Sequence, residues 1–255
     1  MSNSLRQRVI EWFYPGLVSL GQSQFDSTVG FYSFVDHIMP RDCTLLDFGA
    51  GRGASFEDDE LEHHATLWSM QKAGRRIGCD LDPVVEQNPA LDECHVLSAE
   101  QDYAIPLGDE SVDVVVADWV VEHLPEPTKS FQEIHRVLRS GGSLCLRTSN
   151  YWHYSYLLAS VVADTPLEAW MLSKSQPNRQ SIDVFPKLYR ANTKRRLRRL
   201  LRTAGYDPAI VFTTEPTSAY MNFSLPTAIA GGVYHRIASA GALPRAVLLA
   251  FARKR

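Results

Sequence analysis

The hydrophobic and polar positions of this chain follow two periods in turn, one typical of helices and one typical of strands. Apolar residues recur at helical spacing over residues 5–14 and again from about Thr28 to Ile38. Short apolar runs bounded by glycine, proline or acidic residues then predict buried strands, and a helix over 128–139 precedes the last of them. The predicted strands are Cys43–Phe48, Arg76–Asp80, His95–Leu97, Ser111–Asp118 and Ser143–Thr148.

Beyond residue 150 the alternation of elements is looser. A helix is predicted from Thr193, with leucines on one face and arginines on the other, and Gly205 ends it. Residues 209–214 and 246–252 predict two last strands, and a long insertion joins them. Because strands and helices alternate up to residue 150, the pattern favours an α/β fold with a parallel, doubly wound sheet.

Composition and charge exclude some classes of protein but do not indicate a particular function. The 255 residues are 45% hydrophobic and 22% charged, which excludes a disordered chain, and a net charge of −3 does not suggest a dedicated nucleic-acid binder. The sequence contains neither an N-terminal signal peptide nor an apolar stretch of the roughly 20 residues that a membrane helix needs. The four cysteines lie far apart, which indicates a reducing compartment, so we expect a cytoplasmic protein.

The most informative stretch is the glycine-rich turn Asp47–Gly53, which follows the first predicted strand. Three glycines alternate in it as GxGxG, and glycine lets a ligand lie against bare backbone. Dinucleotide folds place their third glycine one residue later and bind a pyrophosphate there. Asp47 stands two residues before the first glycine, where a carboxylate would repel a pyrophosphate but suit an ammonium group.

Four motifs follow one another along the chain, namely Leu45–Gly53, Ile77–Pro83, Pro106–Trp119 and Glu133–Leu144. One such motif would be weak evidence, whereas four in this order are specific. Together they resemble the class I S-adenosylmethionine-dependent methyltransferases. Residues 185–193 are also similar to bacterial members of this family with uncharacterised substrates. The resemblance spans about residues 30–150 and extends more loosely over the last two strands.

This resemblance implies a Rossmann-like three-layer sandwich whose mostly parallel seven-stranded sheet has an antiparallel last strand. It implies one methyltransferase domain over residues 1–255, with N-terminal helices in 1–40, the cofactor-binding core in 41–150, and substrate-side helices with the last two strands in 151–255. The cofactor would be S-adenosylmethionine, and the reaction would be methyl transfer to a small-molecule acceptor at oxygen. Neither a nucleic-acid partner nor stable membrane insertion is expected, and the oligomeric state is open.

The resemblance also implies cofactor-binding residues at the carboxyl ends of the strands, where such sheets bind ligands. Asp47 would lie near the amino group of the cofactor, and Asp80 would accept both ribose hydroxyls. Leu81 and residues 100–102 would border the adenine, and residues 118–119 would border the methionine part. The full set is Asp47, Gly49, Ala50, Gly51, Asp80, Leu81, Glu100, Gln101, Asp102, Asp118 and Trp119.

An alcohol or amine acceptor would also need a base, whereas a carboxylate acceptor would need none. Glu122 and His123 follow the fourth predicted strand and are the catalytic candidates, and His153 and Tyr154 lie beyond the fifth strand. No metal site is expected, because the adjacent histidines at 63–64 would point to different faces of a helix.

Two other functions compete with methyl transfer. A nicotinamide-dependent oxidoreductase would share the glycine-rich turn, but the GxGxG spacing and the acid at Asp47 speak against it. A binding protein with a methyltransferase-like fold and no turnover would keep the same turn and keep Asp80. The motifs therefore support cofactor binding more directly than they support catalysis.

Three further segments have both a structural and a functional interpretation. The arginines of the helix that begins after Thr193 are interpreted as a solvated face. The aromatic row at 151–156 predicts a pocket wall or a part of the core, with neither preferred. Residues 225–245 are interpreted as a packed insertion, rather than a lid or a weakly membrane-facing surface.

Overall fold

The computed structural model describes residues 4–21, 23, 25–53, 70–98, 102–157, 165, 186–216 and 221–255. Helices and strands alternate along these residues, and two short 3₁₀ helices, Pro83–Gln87 and Val121–His123, follow the second and fourth strands. The helices are α1 (Leu5–Phe13), α2 (Ser27–Ile38), α3 (Pro127–Val137), α4 (Lys194–Thr203) and α5 (Leu225–Ser239). The strands are β1 (Cys43–Phe48), β2 (Ala73–Asp80), β3 (Glu93–Val96), β4 (Val112–Asp118), β5 (Leu138–Ser149), β6 (Tyr206–Thr214) and β7 (Val247–Lys254).

These strands form one sheet in the order β3-β2-β1-β4-β5-β7-β6. β1 pairs in parallel with β2 and β4, β2 with β3, and β4 with β5. β7 runs against β5, because Asn150 after β5 donates its N–H to the carbonyl of Ala246 before β7, whereas Arg253 near the end of β7 donates to the carbonyl of Gly141 near the start of β5. The predicted mostly parallel seven-stranded sheet with an antiparallel last strand is therefore confirmed.

The central strand β4 illustrates why the sequence pattern favoured a parallel sheet. Successive side chains of a strand point to opposite faces, yet Val114, Val115 and Val116 are all buried. A strand that is covered on both faces is apolar throughout instead of alternating. Val115 belongs to the same apolar cluster as Phe131 of α3 and Leu197 of α4, so these two helices cover the sheet.

The chain divides into two compact units. The larger, unit 2, comprises residues 28–149, 187–212 and 248–255 and contains most of the sheet. Unit 1 comprises residues 1–27, 150–186 and 213–247 and contains α1 packed on α5. The helices of unit 1 approach closely at Gly232, where an added Cβ would lie 2.3 Å from the ring of Phe13. The expectation of one domain over the whole chain stays a prediction.

The junction of α3 and β5 differs from the sequence prediction. A helix over 128–139 ending in a glycine cap is expected, but α3 ends at Val137 and β5 begins at Leu138. Leu138 is already in register with Val112 of β4. The carbonyls of Arg136 and Val137 accept the N–H groups of Glu110 and Ser111, so the helix end is satisfied without a glycine cap.

Helix α5 lies inside the segment 225–245 that the sequence analysis interprets as an insertion. A capping box at Ser224 and Thr227 begins the helix, since each side chain bonds the main-chain N–H of the other. In the part of the chain that the structure describes, no helix combines the length and the apolar character needed to cross a membrane.

Helix α4 offers a test of how the sheet is covered. Leu197 is fully buried, whereas Leu200 packs against the same core from a partly exposed position. Replacing Leu197 by Ala should lower the free energy of unfolding by about 2–5 kcal/mol, because it leaves a cavity. Leu200→Ala should lower it by about 1 kcal/mol, because less area is lost. Urea unfolding of both variants measures the difference, and equal losses would contradict the described burial.

Candidate functional site

The turn after β1 has the backbone geometry that its glycines predict. Gly49 and Gly51 have φ angles of +80° and +52°, a region that side chains other than glycine rarely adopt. The N–H of Gly49 donates to the carbonyl of Cys79 in β2 at 2.7 Å. The side-chain amide of Asn88 donates to the carbonyls of Ala50 and Gly51 at 3.1 and 3.2 Å. These bonds hold the turn against the carboxyl end of β2.

The two glycines differ in what surrounds them. A Cβ added at Gly49 would lie 2.3 Å from a methyl group of Val120, so the turn is closely packed there. A Cβ added at Gly51 would meet no atom of the described residues within 4 Å. The turn therefore presents bare backbone to open space at Gly51, where a ligand can approach the main chain.

Asp80, at the end of β2, is fastened to this turn. One carboxylate oxygen accepts the N–H of Gly51 at 2.9 Å, and the other accepts the N–H of Asp82 at 3.0 Å. Leu81, the next residue, is exposed. Asp80, which is predicted to bind the ribose, thus lies beside the glycine turn. Leu81, which is predicted to border the adenine, follows it directly in the chain.

Three carboxylates gather at the carboxyl ends of adjacent parallel strands. Asp47 lies in β1, Asp80 ends β2, and Asp118 ends β4. Burial, together with the smaller effect of the negative charges of Asp118 and Asp80, raises the pKa of Asp47 to about 7. Near neutral pH, Asp47 therefore carries a proton in a substantial fraction of molecules.

Asp118 is paired with Arg147 of β5 by two hydrogen bonds of 2.6 Å, from Nε and Nη2 to the two carboxylate oxygens. The hydroxyl of Tyr32 donates to the same carboxylate at 3.0 Å, and Arg147 also donates to Thr28 at 2.8 Å. The guanidinium lies 5.2 Å from the centre of the Trp119 ring. Burial and the charge of Asp118 raise the pKa of Tyr32, so its hydroxyl stays protonated.

The sequence analysis did not identify Tyr32, Thr28 or Arg147 as parts of this site. Arg147 gave a usable signal, because it is a charged residue at the end of the buried run Leu144–Leu146. Tyr32 gave no such signal, because the sequence pattern does not distinguish it from Phe31, the other buried aromatic residue of α2.

The balance of charge decides which ligand suits this cluster. Arg147 is paired with Asp118, whereas Asp47 and Asp80 form no ion pair among the residues that the structure describes. A diphosphate would add negative charge to this negative excess, whereas an ammonium or sulfonium group would relieve it. The residues present therefore fit the cationic cofactor that the sequence resemblance implies.

The two catalytic candidates lie in the 3₁₀ helix after β4 and differ in their surroundings. Glu122 is 3% exposed, and its carboxylate accepts hydrogen bonds from the hydroxyls of Thr148 at 2.6 Å and Ser149 at 2.9 Å. Asn192 donates in turn to the hydroxyl of Thr148 at 2.7 Å. His123 is partly exposed. Glu122 therefore ties the turn after β4 to the end of β5, and its role as a base stays a prediction.

The predicted adenine-edge residues fall mostly outside the described part of the chain. Glu100 and Gln101 belong to the residues that the structure does not describe, so their contacts stay a prediction. Asp102 is exposed and forms an ion pair with Lys129 at 3.3 Å.

In unit 1 the aromatic row 151–156 is divided between the interior and the surface. His153 is buried, with Nε2 3.3 Å from a carboxylate oxygen of Glu215 and Nδ1 2.7 Å from the hydroxyl of Ser155. Its ring lies 4.4 Å from that of Tyr154, whereas Trp152 is exposed. His153 and Tyr154 thus belong to a packed cluster of unit 1.

Comparisons with known proteins agree with this geometry. A family model described as a methyltransferase domain matches residues 46–146. A probable S-adenosylmethionine-dependent methyltransferase of Mycolicibacterium smegmatis is 39% identical over 100 residues, which cover 37% of this chain and 35% of that protein. An arsenite methyltransferase of Halobacterium salinarum is 28% identical over 109 residues, which cover 40% of this chain and 26% of that protein.

The solved structures agree at the level of the fold. A chain from the complex between the Haloferax volcanii Trm112 methyltransferase activator and a putative methyltransferase superposes with a TM-score of 0.55 at 18% identity, covering 98% of this chain and 97% of that chain. The matches of this chain span 26% and 35% of the length of the two curated relatives. The resemblance to the class I S-adenosylmethionine-dependent methyltransferases is confirmed.

The raised pKa of Asp47 predicts a pH-dependent stability. The folded pKa of about 7 lies above the ordinary 3.8, so the folded state binds the proton more tightly and its stability falls as pH rises between these values. Asp47→Asn removes this loss. Between pH 5 and pH 8 the variant should gain up to about 3 kcal/mol over the parent, since each pKa unit is worth about 1.4 kcal/mol.

Urea unfolding of the ligand-free parent and variant at both pH values measures this gain. Asp109→Asn, at an exposed position, is the control and should show no pH-dependent difference from the parent. A difference between Asp47→Asn and the parent that is the same at both pH values would contradict the raised pKa.

Proposed function

We propose that this protein transfers a methyl group from S-adenosylmethionine to an oxygen atom of a small-molecule acceptor. The observation that carries the proposal is the excess of carboxylates, Asp47, Asp80 and Asp118, beside open backbone at Gly51. S-adenosylmethionine carries an ammonium and a sulfonium group, so its charges complement this cluster. The methyltransferase-domain match over residues 46–146 supports the same cofactor.

Each carboxylate has a separate task in this proposal. Asp80 accepts the ribose hydroxyls, and its bonds to two main-chain N–H groups keep it at the edge of the turn. Asp47 pairs with the ammonium group, which favours its ionised form and lowers its pKa. Asp118 and Trp119 border the methionine part. The remaining cofactor contacts are Gly49, Ala50, Gly51, Leu81, Glu100, Gln101 and Asp102.

The bound cofactor supplies an electrophilic methyl group on a sulfur atom that leaves readily. The main contribution of the protein is then alignment of the acceptor, which lowers a barrier by about 7–11 kcal/mol in well-oriented systems. For an alcohol acceptor we assign the base to His123, which accepts the hydroxyl proton at an imidazole nitrogen. Glu122, buried and bonded to Thr148 and Ser149, positions the turn that carries His123.

Asp80 allows a direct test of the proposed cofactor site. Asp80→Ala removes the acceptor of the ribose hydroxyls, so the affinity for S-adenosylmethionine should fall by about 1–3 kcal/mol. Isothermal titration with S-adenosylmethionine and with its demethylated product measures the loss. Asp109→Ala, an exposed carboxylate of the same unit, is the matched control and should bind as the parent does.

Two results would reverse the proposal. Unchanged affinity in a folded Asp80→Ala variant would show that the ribose lies elsewhere. Tight binding of a nicotinamide cofactor without binding of S-adenosylmethionine would favour the oxidoreductase alternative.

Methyl transfer itself requires a separate measurement. Incubating the protein with S-adenosylmethionine labelled on its methyl carbon and a panel of alcohols, carboxylic acids, amines and inorganic acceptors should label an oxygen acceptor. The position of the label follows from mass spectrometry of the product. Cofactor binding without labelling of any acceptor would favour a binding protein, and labelling at nitrogen or arsenic would correct the assignment to oxygen.

A further inference from the structure

Helix α5 of unit 1 is apolar on the face that points to solvent. Ile229, Val233 and Ile237 recur every four residues and are 44, 46 and 42% exposed. Pro226 and Ala230 lie on the same face and are exposed as well. The opposite face is buried, so these exposed apolar residues lie where a helix on a solvated surface usually carries polar ones.

The neighbouring helix α1 extends this apolar face. Trp12 is 66% exposed, and Leu5 on the same side of α1 is exposed too. Arg236 of α5 lies over the Trp12 ring at 5.3 Å and donates a hydrogen bond to the Trp12 carbonyl. These contacts join the two helices into one surface, which we call the α1–α5 surface. It comprises Leu5, Arg6, Arg8, Trp12, Pro226, Ile229, Ala230, Val233, Arg236 and Ile237.

The charges on this surface have one sign. Arg6, Arg8 and Arg236 are cationic, and none of them is paired with a carboxylate among residues 4–21, 221–255 and the other described ranges. Glu11, the acid of α1, is held by its own turn, because its carboxylate accepts hydrogen bonds from main-chain N–H groups and the hydroxyl of Ser19. Helix α5 contains no acid. The α1–α5 surface thus combines exposed apolar side chains with unopposed arginines.

We propose that the α1–α5 surface lies on the surface of an anionic lipid bilayer. Apolar side chains and tryptophan enter the boundary between headgroups and acyl chains, while flanking arginines attract anionic headgroups. A second copy docked by the same face would bring the arginines of both copies together without acids to neutralise them. The proposal adds to methyl transfer and does not depend on it.

Helix α4 of unit 2 provides a useful contrast. It carries six cationic residues, but its apolar residues Leu197 and Leu201 are buried in the core of unit 2. Leu200 is partly exposed but packs against the same core, so such a helix attracts anions mainly through its charge. Variants of α4 therefore separate general electrostatic attraction from the proposed docking.

The test uses the full chain and sedimentation with vesicles of phosphatidylcholine, with or without three parts in ten of phosphatidylglycerol. The parent should bind the anionic vesicles and bind neutral vesicles at least about tenfold more weakly. The triple variant I229S/V233S/I237S should lose about tenfold or more of its binding to anionic vesicles. Ile210→Ser, at an equally exposed apolar position of unit 2, is the matched control and should bind as the parent does.

A second measurement does not depend on the triple variant folding. Brominated phosphatidylglycerol should quench the fluorescence of Trp12 in the parent, and the quenching should disappear in Trp12→Phe. Replacing Arg195, Arg199 and Arg202 of α4 by Gln should leave vesicle binding unchanged.

Three outcomes would overturn the proposal. One is a parent that does not bind anionic vesicles. Another is a result in which the α4 variant loses binding to anionic vesicles and the α5 variant keeps it. The third is a parent that does not bind vesicles and dimerises through Ile229, Val233 and Ile237, which would assign the surface to a second copy of the chain.

Discussion

The desolvation of Asp47 close to the charges of Asp80 and Asp118 is the physical constraint on which the candidate site depends. Parallel strands deliver their carboxyl ends to one edge of the sheet, and β1, β2 and β4 each bring an aspartate there. Removal of Asp47 from water, with a smaller contribution from the charges of Asp118 and Asp80, raises its pKa to about 7. Arg147 neutralises Asp118, whereas Asp47 and Asp80 form no ion pair within the described part of the chain. The protein thus holds a local negative charge that a cationic ligand relieves.

The surroundings of this cluster are rigid for reasons of packing and hydrogen bonding. Gly49 has no room for a side chain beside Val120, and Asp80 is bonded to the turn that it borders. The buried network of Glu122 and Thr148 fastens the segment after β4 to β5. A site that is fixed before its ligand arrives loses little conformational entropy on binding, which favours affinity and alignment.

Unit 1 is stabilised and exposed in a different way. Its buried part contains a close contact between His153 and Glu215 among aromatic rings, and its outer part exposes apolar residues of α1 and α5. The close approach of the two helices at Gly232 orients Ile229 and Val233 away from the interior. The same packing that buries one face of α5 therefore exposes the other.

The sequence by itself determined the order of strands and helices, the glycine turn and the acids at the ends of β1 and β2. Periodicity and glycine spacing are local properties, so they can be read along the chain. Only the tertiary structure decided that Arg147 and Tyr32 join Asp118, and that Glu122 is bound by hydroxyls of β5. It also decided which face of α5 is exposed. Such contacts join residues far apart in the chain, and no local pattern encodes them.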